Sequence, residues 1–433
     1  MKRALFAAAL TAALVSCSRG AGGPKPERWS NAFWLWGDTA VESAVAVDEL
    51  FVLAGTVRKG GTTLAGGLPE RIPPAGAYWL AFRFYERTAP RPLSIQPLVN
   101  RIAELRKLAA ARKLAVAGVQ LDVDCPTRQL AAYAEWLSEF RKALGADVPV
   151  SITALLDWFR PGTEMQLVAD AVDEYVPQFY DAGADAAPTI SAPVMSPMWS
   201  ARFQELGRRY RIGISTFGRV RFREAANRGA VYEAGGARPV DLALHSALTR
   251  RASRTRAGEL RLVYTASRAG SIAGRSFLPG DAFEIIAATP ESIFAGMEQA
   301  MKMGDYCAGV VFFRWPEAGE ALTAQPAEVL RAAGGEPVAA PLRLRVSEGG
   351  CPAASCADVG VVMNRPFSED PVRYRIVSTA RIEYFVPADG SPARLISPYE
   401  IGLEMPPFSG RGLFAAGRAV TGSRSKYSIE ELR

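Results

Sequence analysis

The chain has 433 residues, 49% of them hydrophobic, with 51 basic and 44 acidic side chains and a formal charge of +7. That length holds one large domain and a smaller one. A single histidine, His245, excludes multi-histidine metal centres and leaves carboxylates and aromatic rings as the abundant chemical groups.

Lys2 and Arg3 form a basic head, followed by an apolar stretch from Ala4 to Val15 that is too short to span a bilayer. It ends in Leu14-Val15-Ser16-Cys17, which resembles the lipobox cut by bacterial lipoprotein signal peptidase. The resemblance implies that residues 1–17 are signal peptide and lipobox, that Cys17 is lipidated, and that the chain is anchored to a cell-envelope membrane. Ser18 in place of Asp implies the outer membrane, facing the periplasm. An ordinary signal peptide with an incidental cysteine is the alternative. Residues 18–28, polar and bearing Gly and Pro, read as a tether.

Short apolar strands then alternate with segments of helical period. The expected strands are Ala32–Trp36, Glu49–Leu53, Tyr78–Phe84, Val119–Asp124, Val150–Leu156, Tyr175–Tyr180, Ile212–Thr216 and Val310–Arg314. A helix is expected over Leu98 to Leu108. Thr127 can cap another, whose Leu130, Tyr133, Leu137, Phe140 and Leu144 recur at three- and four-residue steps. This pattern predicts an α/β fold, a (β/α)8 TIM barrel, over residues 29–338. The long stretch from Arg221 to Tyr306 is expected to hold an inserted hairpin (Leu260–Ala266, Phe283–Ala287) and a last helix near Ser292–Met303. Within it, Arg250, Arg251, Arg254 and Arg256 form the densest basic run; with no interleaved aromatic rings, it reads as a solvated loop rather than a nucleic-acid surface.

The pattern changes over residues 339–433. Leu342–Val346, Tyr374–Val377, Ile382–Val386 and Leu413–Ala416 are short strands without helical period, and Pro387-Ala388-Asp389-Gly390 marks a turn. A small antiparallel β domain, sandwich-like, is expected. Cys351 and Cys356 are candidate disulfide partners in an oxidising compartment. Cys125 and Cys307 are expected at opposite ends of the barrel, too far apart to pair, and therefore free.

Two catalytic motifs fail on spacing. Gly213 to Gly218 has one residue too many for a nucleophile elbow. Gly270 to Ser276 is one residue short of a phosphate loop and lacks its Lys. The informative segment is Gly118-Val119-Gln120-Leu121-Asp122-Val123-Asp124, where Gln120, Asp122 and Asp124 share one strand face and the apolar residues share the other. Carboxylates pointing into a barrel are costly unless they lie near the mouth and are paired. The C-terminal mouth is also where barrel enzymes place catalytic groups. Two neighbouring carboxylates raise one another's pKa, which can keep one of them protonated as an acid. A capping or calcium-binding role is the alternative.

This strand resembles the fourth barrel strand of glycoside hydrolase family 18, the chitinase-like enzymes, whose motif reads Asp-x-x-Asp-x-Asp-x-Glu. Val176-Pro177-Gln178-Phe179-Tyr180-Asp181, Ile212 to Arg219 and Gly309 to Trp315 resemble that family's sixth, seventh and last strands, in order. Closer still, Gln120 to Asp124, Ser151-Ile152-Thr153-Ala154-Leu155 and Phe313-Arg314-Trp315-Pro316 resemble a bacterial lipoprotein family known as domain of unknown function 3142. The chitinase-like resemblance implies Asp124 as general acid, Asp122 orienting a 2-acetamido group and Tyr180 bonding its carbonyl. It also implies Trp315 stacked under a sugar. Ala117 and Gln120 replace the motif's first two Asp, Asp124 replaces its Glu, and Leu80 to Phe84 lacks the expected Ser-x-Gly-Gly.

Gln120, Gln178, Asp157 and Arg314 are further candidates for ligand contact, though Asp157 equally fits a helix cap. Trp34 and Trp36 fit either a sugar platform or core packing. Arg83 and Arg314 sit in barrel strands, where pairing with Asp122 or Asp124 would explain one of them. His245 reads as an ordinary surface or packed residue. The expected partner is a glycan or polysaccharide, with no nucleic acid, cofactor or metal. The expected function is a retaining glycosidase using Asp124. The alternative is a non-catalytic glycan-binding or polysaccharide-export lipoprotein.

Overall fold

The computed structural model describes residues 29–37, 45–58, 63–180, 197–227, 230–234, 236–254, 258–317, 320–337, 343–351, 355–363, 368–410 and 412–432. The lipobox, Cys17 and the tether lie outside the described residues, as do Asp181, Arg256 and Leu342.

Eight parallel strands form the barrel: β1 (Ser30–Leu35), β2 (Val47–Arg58), β3 (Ala75–Phe84), β4 (Val116–Val123), β5 (Val150–Ala154), β6 (Glu174–Phe179), β7 (Arg209–Ser215) and β8 (Cys307–Phe313). Each pairs with its neighbour in sequence, and β8 pairs with β1 to close the ring. This is the α/β barrel that the strand alternation predicts. Closure brings the β8 backbone against β1 at Gly309, whose φ is +146°. A Cβ there would sit 2.0 Å from the Ser30 carbonyl oxygen, so only glycine fits.

Strand alternation sorts the side chains. Phe33, Leu50, Leu80, Leu121, Ile152, Ile212 and Phe312 pack outward into the layer beneath the helices. Trp34, Phe51, Trp79, Val176 and Val311 fill the barrel interior. The helix Ile95–Ala111 contributes Leu98, Ile102, Leu105 and Ala109 to the outer layer, and Leu130–Leu144 contributes Leu130, Tyr133, Leu137 and Phe140. Thr127 does not cap that second helix. It opens a 3-10 turn, Thr127–Gln129, and no side chain there makes a capping bond. The last barrel helix expected near Ser292–Met303 is Pro290–Ala300, where Thr289 and Ser292 bond each other's backbone N–H across the first turn.

The insertion after β7 is larger than a hairpin. It is a five-stranded antiparallel sheet in the order Val231–Glu233, Gly218–Arg223, Ala282–Ala287, Leu260–Ala266, Leu248–Arg254. The basic run is therefore an edge strand, not a loop. Alternation sends Arg250 and Arg254 to one side, where they grip the C-terminal region. Arg250 bonds the Pro407 carbonyl at 2.9 Å and lies over the Phe408 ring, and Arg254 pairs with Glu369 at 3.1 Å.

The C-terminal strands form two four-stranded antiparallel sheets with a shared core that includes Val359, Val361, Tyr374, Ile376, Leu403 and Phe414. Cys351 and Cys356 form a disulfide with Cα atoms 5.9 Å apart, and Cys125 and Cys307 are buried free thiols. His245 meets the Phe277 ring edge-on and accepts from the Ala247 N–H.

Candidate functional site

The barrel interior is solid below its mouth. The Trp34 indole donates to Gln120 Oε1 at 2.6 Å, and Gln120 Nε2 donates to Ser151 Oγ at 3.2 Å. Deeper, Arg211 is fully buried between Glu49, at 2.8 Å, and Glu174, at 3.0 Å. The Trp79 indole also donates to Glu49. Burial pushes the Glu49 carboxyl up, but the Arg211 charge and the bonds from Trp79 and Arg211 outweigh it and hold it below its ordinary value of 4.5. A buried guanidinium is tolerable only with such partners. Gln120, 0% exposed and bonded to Trp34 and Ser151, belongs to this plug and not to a ligand surface.

Above the plug, register sets Arg83 on β3 beside Asp122 on β4. Arg83 donates to Asp122 Oδ2 at 2.5 Å and to Asp124 Oδ2 at 2.6 Å. Thr153 on β5 donates to the other Asp122 oxygen at 2.6 Å. One guanidinium therefore bridges both carboxylates. Asp122 is buried, whereas the Asp124 side chain is 17% exposed. Burial pushes the Asp122 carboxyl up, with the Asp124 charge adding to the rise and Arg83 and Thr153 opposing it. Arg83 loses solvation too, yet the two carboxylates raise its pKa and keep it protonated.

The opposite side of the mouth is aromatic. Tyr180 stacks on Phe313 with ring centroids 4.5 Å apart and planes 11° apart. Trp36 and Phe217 meet Phe313 edge-on at 6.2 and 5.3 Å, and Trp34 forms the floor beneath. Gly213 makes room for this cluster, since a Cβ there would lie 3.1 Å from the Tyr180 ring and 3.2 Å from that of Trp34. Trp36, Tyr180, Phe217 and Phe313 are all partly exposed. Gln178 lies on the same strand face as Tyr180. Trp34 itself is fully buried core, while Trp36 joins the surface.

Three expected ligand contacts lie elsewhere. Trp315 is 2% exposed and packs against Phe33 in the layer beneath the helices, because the chain turns back after β8 and its N–H bonds the Trp34 carbonyl. Phe313, on the inward parity of β8 with Val311, takes the aromatic position at the mouth. Asp157 faces solvent in the turn Leu156–Phe159 and pairs with Arg160 at 2.7 Å. Arg314 is held by Glu317 and Glu320, each at 2.6 Å, and not by Asp122 or Asp124. Counting alternate residues back from Trp34 and Tyr180 would have found Phe313; the pull of a tryptophan motif hid it.

Among solved structures, the chain is similar to the spore cortex-lytic enzyme SleL of Bacillus cereus, with 14% identity, a TM-score of 0.47, and coverage of 73% of this chain and 76% of that one. It is also similar to chitinase ChiA74 of Bacillus thuringiensis, with 9% identity, a TM-score of 0.44, and coverage of 93% and 100%. A third similar structure is a glycoside hydrolase family 18 chitinase of Cycas revoluta in complex with (GlcNAc)4, with 14% identity, a TM-score of 0.42, and coverage of 66% and 94%. No curated protein matches the chain. Residues 91–250, from the turn before the first barrel helix into the inserted sheet, match the family described as domain of unknown function DUF3142.

Proposed function

We propose that this chain is a cell-envelope lipoprotein, anchored through Cys17, that holds a glycan at the barrel mouth without cleaving it. The observation that carries this reading is the Arg83 bridge. A general acid must be a neutral carboxyl poised to give up its proton. A guanidinium 2.6 Å from Asp124 favours the carboxylate form instead, and it fixes the side chain toward β3. Asp122 is too deep to meet a ligand. What remains at the surface is a polar wall of Arg83 and Asp124 facing a patch of Trp36, Tyr180, Phe217 and Phe313. Aromatic faces with hydrogen-bonding groups opposite suit a sugar ring, whose faces are apolar and whose rim is polar. A polysaccharide-export or retention role fits a binder held on a membrane.

The test is a glycan array with the full-length chain in detergent, followed by an assay for new reducing ends. The expected result is retention of a glycan without new reducing ends. A retaining glycosidase is the second reading, favoured by the accessibility of Asp124 beside a carboxyl that burial pushes up. Hydrolysis that Asp124→Asn abolishes would overturn the binding-only reading and establish that one.

A further inference from the structure

The inserted sheet has two unlike faces. Arg219, Arg221 and Arg223 alternate along Gly218–Arg223, while Val220 and Phe222 between them are buried. Register places Glu233 and Glu284 beside Arg221, Arg261 beside Ile286, and Arg251 beside Val263. These residues share the face of Arg221, which thus carries five arginines against two glutamates. Glu284 is buried and engaged by Arg261, with Arg223 4.0 Å away. Glu233 is exposed and lies 3.6 Å from both Arg219 and Arg221, beyond firm hydrogen-bonding distance. Two carboxylates cannot neutralise five guanidinium groups, so the face keeps a positive surplus.

This face begins at the barrel mouth. The Arg219 guanidinium lies 5.7 Å over the Phe217 ring, Phe217 meets Phe313 at 5.3 Å, and Phe313 stacks on Tyr180. From there Arg221 and Arg223 follow at steps of about 6.7 Å along the strand.

We propose that the glycan at the mouth continues over this face and carries anionic groups, as in a polymer of uronic acid sugars. The proposal rests on the glycan-binding reading and narrows it to an acidic ligand. A nucleic acid is the less fitting polyanion, because Phe222, Tyr264 and Phe283 all lie on the opposite, buried face and leave bases nothing to stack on.

The test is calorimetry on the full-length chain in detergent with three probes: an oligogalacturonate, its methyl ester, and a single-stranded oligonucleotide of matched charge. The acid should bind at least about tenfold more tightly than the ester at low ionic strength, as the sum of three or more exposed charge pairs. That advantage should shrink in half-molar salt. Arg221→Gln, Arg223→Gln and Arg251→Gln combined should bring the acid down to the level of the ester and leave the ester unchanged. Equal affinity for acid and ester, or an acid preference that survives the triple substitution, would overturn the proposal. So would an oligonucleotide that binds as tightly as the acid, since that marks a nonspecific polyanion surface. If the ester binds and Phe313→Ala abolishes its binding, the mouth reading stands even where the acidic preference fails. If neither sugar binds, both fall together.

Discussion

Arg83 reaches Asp124 at 2.6 Å with one terminal nitrogen while the other touches Asp122 at 2.5 Å, so a single cation from β3 serves two carboxylates from β4. Removing it strands a buried charge. Arg83→Met should therefore destabilise the fold by roughly 3 kcal/mol at neutral pH, measured by urea unfolding. Adding Asp122→Asn should recover most of that loss, because no buried carboxylate is then left uncompensated. Additive losses in the double variant would show that the two residues act independently.

The deeper pair gives a pH prediction of opposite sign to the one a buried acid alone would give. Glu49 is held below its ordinary 4.5 by Arg211 despite burial. A lowered folded-state pKa contributes stability above the unfolded value, which is lost as the pH falls through the folded one. Glu49→Gln should therefore be less stable than the parent above about pH 5. The two unfolding curves should converge as the solution is acidified below Glu49's own transition. A difference that stays constant with pH would mean that the Glu49 charge is not what Arg211 needs.

Two aromatic substitutions separate surface from core. Phe313→Ala should weaken glycan binding about tenfold or more with a modest loss of stability, since its ring is partly exposed at the mouth. Trp315→Ala should cost about 3–5 kcal/mol through the cavity it leaves against Phe33. In variants that remain folded, its effect on affinity should be small. Calorimetry and thermal unfolding on both proteins decide the matter, and the reverse pattern would restore Trp315 to the ligand surface.

Cys125 and Cys307 should be silent thiols in the native protein. Burial pushes each to about 12, so almost no thiolate exists at neutral pH. Both should react with a thiol reagent only after unfolding. Replacing Cys351 and Cys356 together with Ser should cost about 2 kcal/mol, as expected for so short a closed loop.

The barrel was legible because its evidence is local. Eight apolar runs, each bounded by turns and followed by helical period, need no knowledge of partners. The Arg83 bridge was half legible: an arginine in a barrel strand demands an acid, but the choice of both Asp122 and Asp124 depends on the register between β3 and β4. That register shifts at Tyr78 and Trp79 in a way no single strand records. The inserted sheet was harder. Gly218–Arg223 and Leu248–Arg254 alternate arginine with small or apolar residues, and such strands look like solvated loops until a core appears beneath them. Phe313 was missed for a different reason. A motif drew attention to Trp315, which lies two residues past the strand end, where alternation no longer predicts direction.

The closing of the ring by β1 also fixes an orientation. β1 begins at Ser30 on the rim where all eight parallel strands start, and Tyr180 and Phe313 stand at the rim where they finish. Whatever precedes Trp29 must therefore leave from the far side of the barrel. An acyl anchor at Cys17 would tie the molecule down by its base and turn the aromatic dish away from the lipid, toward any polymer passing through the space beyond. The same polarity means that shortening residues 18–28 would draw the base nearer the membrane without burying the dish.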